Sequence, residues 1–272
     1  MARLLFCRLG PWAYRLSQEK GILLRRLRDC CSGERFCRSK SAEPLPECVC
    51  SHASLIRRRL AGVDPQLQEN KAHNLALAAP RVSGILIRPG ETFSFWHLVG
   101  RDTAAKGYKP GLYIKNGRPA QAIGGGMCQF SNLIHRLVLH SDLTITEQHH
   151  HEERDLFPDF ERRVPFGTGT SIAYNYLDYR FRNDTTNTYQ LLISLTETEL
   201  CGELRAALPQ SSRYRVYAEN ERFIKEAGKI YRTGEVYRDR MNADGSLAEH
   251  CLLRRNHAEV MYELAPERLS EI

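Results

Sequence analysis

The sequence lacks any apolar run of the roughly 18 residues that a bilayer-spanning helix needs. Its short apolar start, Leu4 to Cys7, is interrupted by Arg8, which is too early for the hydrophobic region of a secretory signal. Because both signals are missing, we predict a cytoplasmic location.

Paired cysteines are also missing. The nine cysteines form an odd, scattered set, which fits free thiols better than a disulfide framework. The cysteines near the N-terminus lack the paired C-x₂-C spacing of a zinc ribbon; they are Cys30, Cys31, Cys37, Cys48 and Cys50. We expect neither a disulfide framework nor a cofactor.

Most of the chain lacks an excess of charge of one sign. Residues 1–60 contain 13 Lys and Arg against 5 Asp and Glu, whereas the remaining 212 residues contain 26 against 27. The net charge of +7 therefore comes from the N-terminal region. Since the rest of the chain has no basic surplus for phosphates, we expect no nucleic-acid partner.

The basic N-terminal region contains a loosely amphipathic helix. Between Tyr14 and Arg28, four leucines are interleaved with lysine and arginine. A helix of this kind can lie on anionic lipid, so weak membrane-surface contact is one interpretation of residues 13–28. The alternative is a solvated helix whose leucines pack against the protein. A turn-rich segment follows, from Cys30 to Cys50.

A second helix is predicted from Asp64 to Ala79. Aspartate followed by proline is a typical helix start, and Pro80 has no N–H to continue the helical hydrogen bonds. Two hairpins should follow over residues 85–95 and 112–123, because each range contains a turn sequence with glycine.

Further strands are predicted by alternating or β-branched segments. They are Leu143–Glu147, Ser171–Phe181, Tyr189–Thr196, Tyr214–Ala218, Lys229–Arg232, Glu235–Arg238 and His250–Leu253, with a turn at Asp244 and Gly245. We predict an α+β fold in which a mainly antiparallel sheet packs with a central helix starting at Cys128. Its parts would be a basic helical N-terminal region (1–62), a central domain (63–200) and a β-rich C-terminal extension (201–272).

A glycine-rich turn at the start of the central helix is the most distinctive segment. It consists of Gly124, Gly125, Gly126, Met127, Cys128 and Gln129. The spacing of apolar residues from Phe130 to Val138 predicts a helix with one buried stripe, which leaves Ser131 and His135 off that stripe. Unpaired N–H groups at a helix start can lower a thiol pKa. The alternative is a tight structural turn followed by a buried cysteine.

A nucleophilic cysteine needs a base within hydrogen-bond reach. His135 is a poor candidate because seven residues of helix place it roughly 10 Å away. His149 and His151 project to the same side of an extended segment, so they are the candidate bases for Cys128, and Asp178 is the candidate acid that orients them. The order of these groups is similar to that of papain-like and transglutaminase-like folds, by analogy alone.

The three consecutive histidines from His149 to His151 have an alternative role as metal ligands. Cys128 or Glu152 would then complete the coordination. No separated pair of His or Cys ligands at the usual spacing lies beside them, so we predict that no metal is bound.

Several ordered motifs resemble the VanW family. They are Pro89–Phe95, Val99–Gly100, Lys106–Tyr108, Asn116–Gly117, Gly124–Asn132, His149–His151 and Asp178–Asn183. The resemblance covers roughly residues 65 to 200, so the central domain is VanW-like, and it extends into both flanks. Compared with the usual family form, Met127, Asn132 and Gln148 are departures, and none removes a candidate catalytic group. The resemblance implies an association with glycopeptide-resistance clusters and the cell envelope, without a settled reaction.

Two functions remain open from the sequence. The first is a cysteine-dependent enzyme that acts on an amide or peptide, such as a cell-wall precursor, with glycine-loop amides as oxyanion donors. The second is a non-catalytic module that binds a small molecule, a peptide or another protein. Its candidate ligand-binding residues are Gly124, Gly125, Gly126, Gln129, Ser131, Tyr174 and Tyr176.

Overall fold

The computed structural model describes residues 6–58, 64–115, 118–150, 154–156, 164–174 and 176–269. In this part of the chain the α-helices are α1 (Pro11–Cys31), α2 (Gln66–Val82), α3 (Phe95–Val99) and α4 (Met127–Val138). Short 3₁₀ helices lie at Phe6–Arg8, Ala104–Lys106 and Pro266–Arg268.

The strands alternate with these helices along the chain. They are β1 (Arg35–Phe36), β2 (Glu47–Leu55), β3 (Ile85–Ile87), β4 (Glu91–Ser94), β5 (Pro110–Lys115), β6 (Arg118–Ile123), β7 (Thr144–Glu147), β8 (Arg154–Asp155), β9 (Arg180–Arg182), β10 (Tyr189–Leu195), β11 (Glu199–Ala206), β12 (Arg213–Glu226), β13 (Lys229–Met241) and β14 (Leu247–Val260).

These strands form several mostly antiparallel sheets. Their strand orders are β1-β4-β9-β7, β2-β11-β10-β3, β12-β13-β14-β8 and β5-β6. Parallel pairing occurs between β1 and β4 and between β14 and β8. The α+β fold with a β-rich C-terminus is confirmed.

The central helix α4 packs into the main hydrophobic core against β2 and β11. Its predicted apolar stripe is buried, and Phe130 and Ile134 are completely so. Each such side chain contributes about 1.5–3 kcal/mol by leaving water. The helix is buried beyond that stripe, however, because Ser131 and His135 are also inaccessible.

Two sequence predictions are wrong because the backbone groups have other partners than those predicted. Strands β3 and β4 do not form a hairpin: β3 pairs with β10, and β4 pairs with β1 and β9. Of the predicted strand Ser171–Phe181, only the last two residues belong to one. A turn between Ala173 and Leu177 satisfies that backbone instead.

Other elements are longer than predicted. Helix α2 continues to Val82 and contains Pro80. After the proline, the N–H of Ser83 donates a hydrogen bond to the carbonyl of Ala79. The C-terminal fragments are parts of the long strands β12, β13 and β14. Strand β2 lies partly within the segment that we expected to be turn-rich. The hairpin β5-β6 is confirmed by its register, while Asn116 and Gly117 lie outside the described residues.

The division into three parts stays a prediction. Strand β11 crosses position 201 and pairs with both β10 and β2, so residues on either side of that boundary share a sheet. Among the described helices, none has the length and apolar character required to cross a membrane.

Candidate functional site

The glycine loop, residues 124–126, turns the chain from β6 into α4. Gly124 and Gly126 have φ values of 77° and 109°, a region that favours glycine. A Cβ on Gly124 would overlap the carboxylate of Asp102, and one on Gly126 would overlap the side chain of Lys71. A Cβ on Gly125 would overlap the backbone of Gly111. Each glycine is therefore required by a close neighbour.

Asn74 of α2 holds this loop in place. Its fully buried amide donates hydrogen bonds to the carbonyls of Lys109 (2.9 Å) and Gly125 (3.0 Å). Its oxygen accepts from the N–H of Lys109 at 2.8 Å. The loop is thus fixed between α2 and the start of β5.

A cavity of about 1780 Å³ opens beside the loop. We call it the glycine-loop cavity. Its walls include one side of α1, the end of β2, the first turns of α2 and residues 172–174 and 176. The lining residues include Tyr14, Ser54, Lys71, Asp102, Cys128 and Tyr176.

Cys128 lies in the first turn of α4 and lines the cavity, as predicted. Its Sγ lies 3.9 Å from the carbonyl oxygen of Ile172. Burial, reinforced by the carboxylate of Asp102, raises the pKa of the Cys128 thiol. This direction is opposite to the one expected from the helix start, and its largest cause is desolvation, which disfavours the charged thiolate.

The histidine tract does not bring His149 to Cys128. The Nε2 atom of His149 lies 2.9 Å from Oε1 of Glu147, and the described residues contain no hydrogen bond between His149 and the thiol. His150 instead lines the cavity that contains Cys128, with Nδ1 3.1 Å from the carbonyl of Gly169. His151 lies outside the described residues.

Within the described residues, Asp178 orients no histidine of the tract, and its buried carboxylate has four other partners. It accepts hydrogen bonds from Ser94 Oγ (2.5 Å), Arg180 Nε (2.8 Å) and the backbone N–H groups of Trp96 (3.1 Å) and Tyr179 (2.9 Å). These contacts join β4, α3 and β9. In this structure Asp178 holds the framework of the site.

The other predicted ligand-binding residues divide into two groups. Gln129 lines the cavity but donates to Ser54 Oγ (2.9 Å) and the carbonyl of Leu55 (2.8 Å). Ser131 is buried, where it donates to the Cys128 carbonyl and bonds the hydroxyl of Thr170. Ser131 therefore supports the start of α4 from the buried side and does not face the cavity.

Tyr174 and Tyr176 belong to an aromatic wall of the cavity. The ring of Tyr174 packs edge-on against Trp96, with centroids 5.5 Å apart. Tyr176 lies close to Tyr14 of α1. Burial is the largest cause that raises the pKa of Tyr176, and the contact with Tyr14 raises it further. Tyr113 lines the same cavity, and burial, with smaller contributions from Cys128, Tyr14 and Asp102, raises the pKa of Tyr113.

Helix α1 packs on the domain through the buried Ala13 and Ile22 and through charged residues, and not through its leucines. Arg25 pairs with Glu147, and Arg101 pairs with Glu19 at 2.8 Å. Leu16, Leu23, Leu24 and Leu27 are all more than half exposed. The alternative in which the leucines pack against the protein is therefore wrong.

Three polar residues at the cavity were missed from the sequence. Burial raises the pKa of Asp102 to about 6 and, together with the charges of Arg58 and Arg57, lowers that of Lys71 to about 7. Gln68 lines the cavity one turn before Lys71. The sequence does contain a signal for Lys71, because this charged residue occupies a position of the buried stripe of α2 between Leu67 and Leu75.

The described residues contain no cluster of three or more His, Cys, Asp or Glu that could hold a metal. His151 and Glu152 lie outside these residues, so the predicted absence of a metal stays a prediction.

Comparison with protein families matches residues 70–205 to the family described as VanW like protein. The Vancomycin B-type resistance protein VanW of Enterococcus faecalis (strain ATCC 700802 / V583) is 36% identical over 204 residues, which cover 75% of this chain and 74% of that protein. The chain belongs to the VanW family. The matched VanW segment includes Lys71, Asp102, the glycine loop and His150, whereas α1 precedes it.

A more distant similarity covers a smaller part of the chain. The uncharacterized protein YoaR of Bacillus subtilis (strain 168) is 31% identical over 115 residues, or 42% of this chain and 36% of that protein. No solved structure matches this VanW-family chain.

Proposed function

We propose that the protein is a binding component of vancomycin (glycopeptide) resistance that holds a small-molecule or peptide ligand of the cell envelope in the glycine-loop cavity. Family membership supports the resistance role, because the Enterococcus faecalis relative is named a vancomycin B-type resistance protein. The cavity supports the binding role, since its volume of about 1780 Å³ leaves room for a ligand of the size that fills ordinary small-molecule pockets of roughly 300–1,000 Å³.

The observation that carries this proposal is the environment of Cys128. Its side chain is partly buried, desolvation raises the pKa of its thiol, and the near neighbours of its sulfur include a backbone carbonyl. A thiol in these surroundings stays protonated at neutral pH, and the thiolate is the nucleophilic form. In a binding module, Cys128 would contribute a small polarizable surface to the ligand.

Filling the cavity tests this function. Ala122 on β6 lines the cavity, so Ala122→Trp should abolish vancomycin resistance in a host that depends on this protein. Ala248→Trp is the matched control, because Ala248 is exposed on β14 and does not line the cavity. Full resistance with Ala122→Trp at normal protein level would overturn the proposal.

A second candidate is a cysteine-dependent enzyme acting on an amide or peptide of a cell-wall precursor. The observation that favours it is the position of His150, which lines the same cavity as Cys128. A carbonyl only accepts, so Nδ1 of His150 donates to Gly169. His150 would take the thiol proton as sulfur attacks the carbonyl, then pass it to the leaving amine. Water would release the acid from the thioester.

Substitution of Cys128 separates these candidates. A binding module keeps resistance with Cys128→Ser, because the side chain retains nearly the same shape. An enzyme loses it, because a hydroxyl is a much weaker nucleophile than a thiolate. Loss of resistance with Cys128→Ser and with His150→Ala, at normal protein level and stability, would replace the binding proposal with the catalytic one.

The outer face of α1 supports weak contact with an anionic membrane surface as a further proposal. Trp12, Leu16, Leu23 and Leu27 are 52–62% exposed, and the surrounding region is strongly basic. Replacing Leu16, Leu23 and Leu27 by serine should reduce sedimentation with vesicles of anionic lipid. Leu208→Ser is the control, because this exposed leucine lies outside the basic region. Equal sedimentation of both variants would exclude the contact.

A further inference from the structure

Two buried hydrogen-bond donors of α2 line the glycine-loop cavity. Gln68 and Lys71 are three residues apart and thus lie on the same side of the helix. Only 6% of Gln68 and 7% of Lys71 is exposed, and both contribute to the cavity wall. Buried amide and ammonium groups normally have hydrogen-bond partners.

Neither donor has a partner among the described residues. The Oε1 atom of Gln68 accepts from the N–H of Arg58 at 3.3 Å, which leaves the buried Nε2 of Gln68 without an acceptor. The ammonium of Lys71 has no hydrogen bond or ion pair within the described ranges. A buried amide without an acceptor, on the same side of α2 as a cation without an ion-pair partner in the described ranges, indicates a missing acceptor.

The start of α4 adds a second source of positive potential to that of Lys71. The aliphatic part of Lys71 lies against Gly126, which is the N-cap residue of α4. No side chain caps this end of the 12-residue helix. A helix N-terminus presents unpaired N–H groups and attracts negative charge.

The charges around Lys71 also favour an anion. Burial and then the positive charges of Arg58 and Arg57 lower the pKa of Lys71. Arg57 pairs with Glu69, and the carboxylate of Glu69 therefore already has a partner. A bound anion would favour the charged form of Lys71 and accept from both donors of α2.

We propose that Gln68, Lys71 and the N-terminus of α4 form an anion subsite of the glycine-loop cavity, which takes a carboxylate or phosphate group of the ligand. This inference rests on the proposed function only in assigning the anion to the ligand held by the cavity. These donors can bind either the carboxylate of a peptide or the phosphate of an envelope precursor.

Simple anions test the subsite directly. The full chain is titrated with sodium phosphate and, separately, with sodium acetate, while sodium chloride keeps ionic strength constant. Binding is followed by calorimetry and by the melting temperature. We expect saturable binding of at least one anion, and the stronger of the two identifies the preferred group. Absence of saturable binding of both anions would overturn the proposal.

Matched variants locate the binding. Lys71→Met and Gln68→Leu keep the side-chain volume but remove the donors, and we expect each to weaken anion binding at least about tenfold. Lys225→Met is the control, because Lys225 is exposed on β12 and does not line the cavity. Melting temperatures without anion should not fall for the two cavity variants, which separates lost binding from lost folding. Equal affinities in Lys71→Met and Lys225→Met would overturn the assignment.

The subsite and the proposed function fail separately. If anions bind through Lys71 but Ala122→Trp leaves resistance intact, the subsite stands and the proposed function falls. If Ala122→Trp abolishes resistance while Lys71→Met binds anions normally, the function stands and the subsite falls.

Discussion

Arg180 and Asp29 join the central sheet to the N-terminal helix by two parallel hydrogen bonds. Nη1 lies 2.9 Å from Oδ1, and Nη2 lies 2.8 Å from Oδ2. The same guanidinium donates through Nε to Asp178, which in turn positions α3 beneath the cavity. One arginine thus connects α1, a wall of the cavity, to the residues that hold the framework of the site.

Replacing this arginine should strongly destabilise the protein. Arg180→Met leaves the carboxylates of Asp29 and Asp178 without their shared cation, and we expect the free energy of unfolding to fall by about 3–5 kcal/mol. Urea denaturation measures it. Arg182→Met is the matched control on the same strand, because Arg182 pairs with Asp184 in solvent and should change little. Equal losses in the two variants would contradict the role of Arg180.

The thiol of Cys128 should react slowly. Burial raises its pKa, so fewer molecules carry the thiolate at neutral pH, and the alkylation rate falls about tenfold for each unit of pKa increase. Peptide mass spectrometry after iodoacetamide treatment, from about pH 7 to pH 10, compares Cys128 with the exposed Cys251. Faster alkylation of Cys128 at neutral pH would support catalysis instead.

Removing Lys71 should stabilise the protein in a pH-dependent way. Its pKa falls from 10.5 to about 7 on folding, so between these values the unfolded chain binds more protons and stability rises with pH. The penalty is complete below about pH 7. We expect Lys71→Met to add about 1–4 kcal/mol near pH 6 and much less near pH 10. Denaturation in buffers without phosphate or carboxylate measures this, and a gain independent of pH would contradict it.

Two glycines with nearly equal φ values separate backbone strain from crowding. Gly90 (75°) and Gly124 (77°) both disfavour alanine, at about 1–2 kcal/mol each. A Cβ on Gly90 would have no neighbouring atom within 4 Å, whereas a Cβ on Gly124 would overlap Asp102. We expect Gly124→Ala to cost about 1–3 kcal/mol more than Gly90→Ala in thermal denaturation. Equal costs would show that Asp102 moves away freely.

Elements with local signals could be predicted from the sequence. The helix α4, the hairpin β5-β6 and the turn at Gly245 each depend on residues adjacent in the chain. Asp102 lies in a loop without a helical or strand pattern, and only the folded chain brings it to Gly124. Its position in the cavity could therefore not be predicted.

The predicted catalytic set shows the same limit. Alternation along a strand indicates the side to which His149 points, but not that Glu147, two residues earlier, is its partner. Asp178 is held by Ser94 and Arg180, which are brought together by pairing of β4 with β9. Long-range register decides these contacts. The cytoplasmic location stays a prediction.

The strand order β2-β11-β10-β3 constrains how the protein folds during synthesis. Its N-terminal strand β2 pairs with β11, about 150 residues later in the chain, and α1 is fastened by residues near position 180. Contacts of such sequence separation form slowly and only after both partners exist. The cavity therefore cannot be completed until most of the chain has left the ribosome. During that interval α1, with its exposed leucines, is not yet held against the domain.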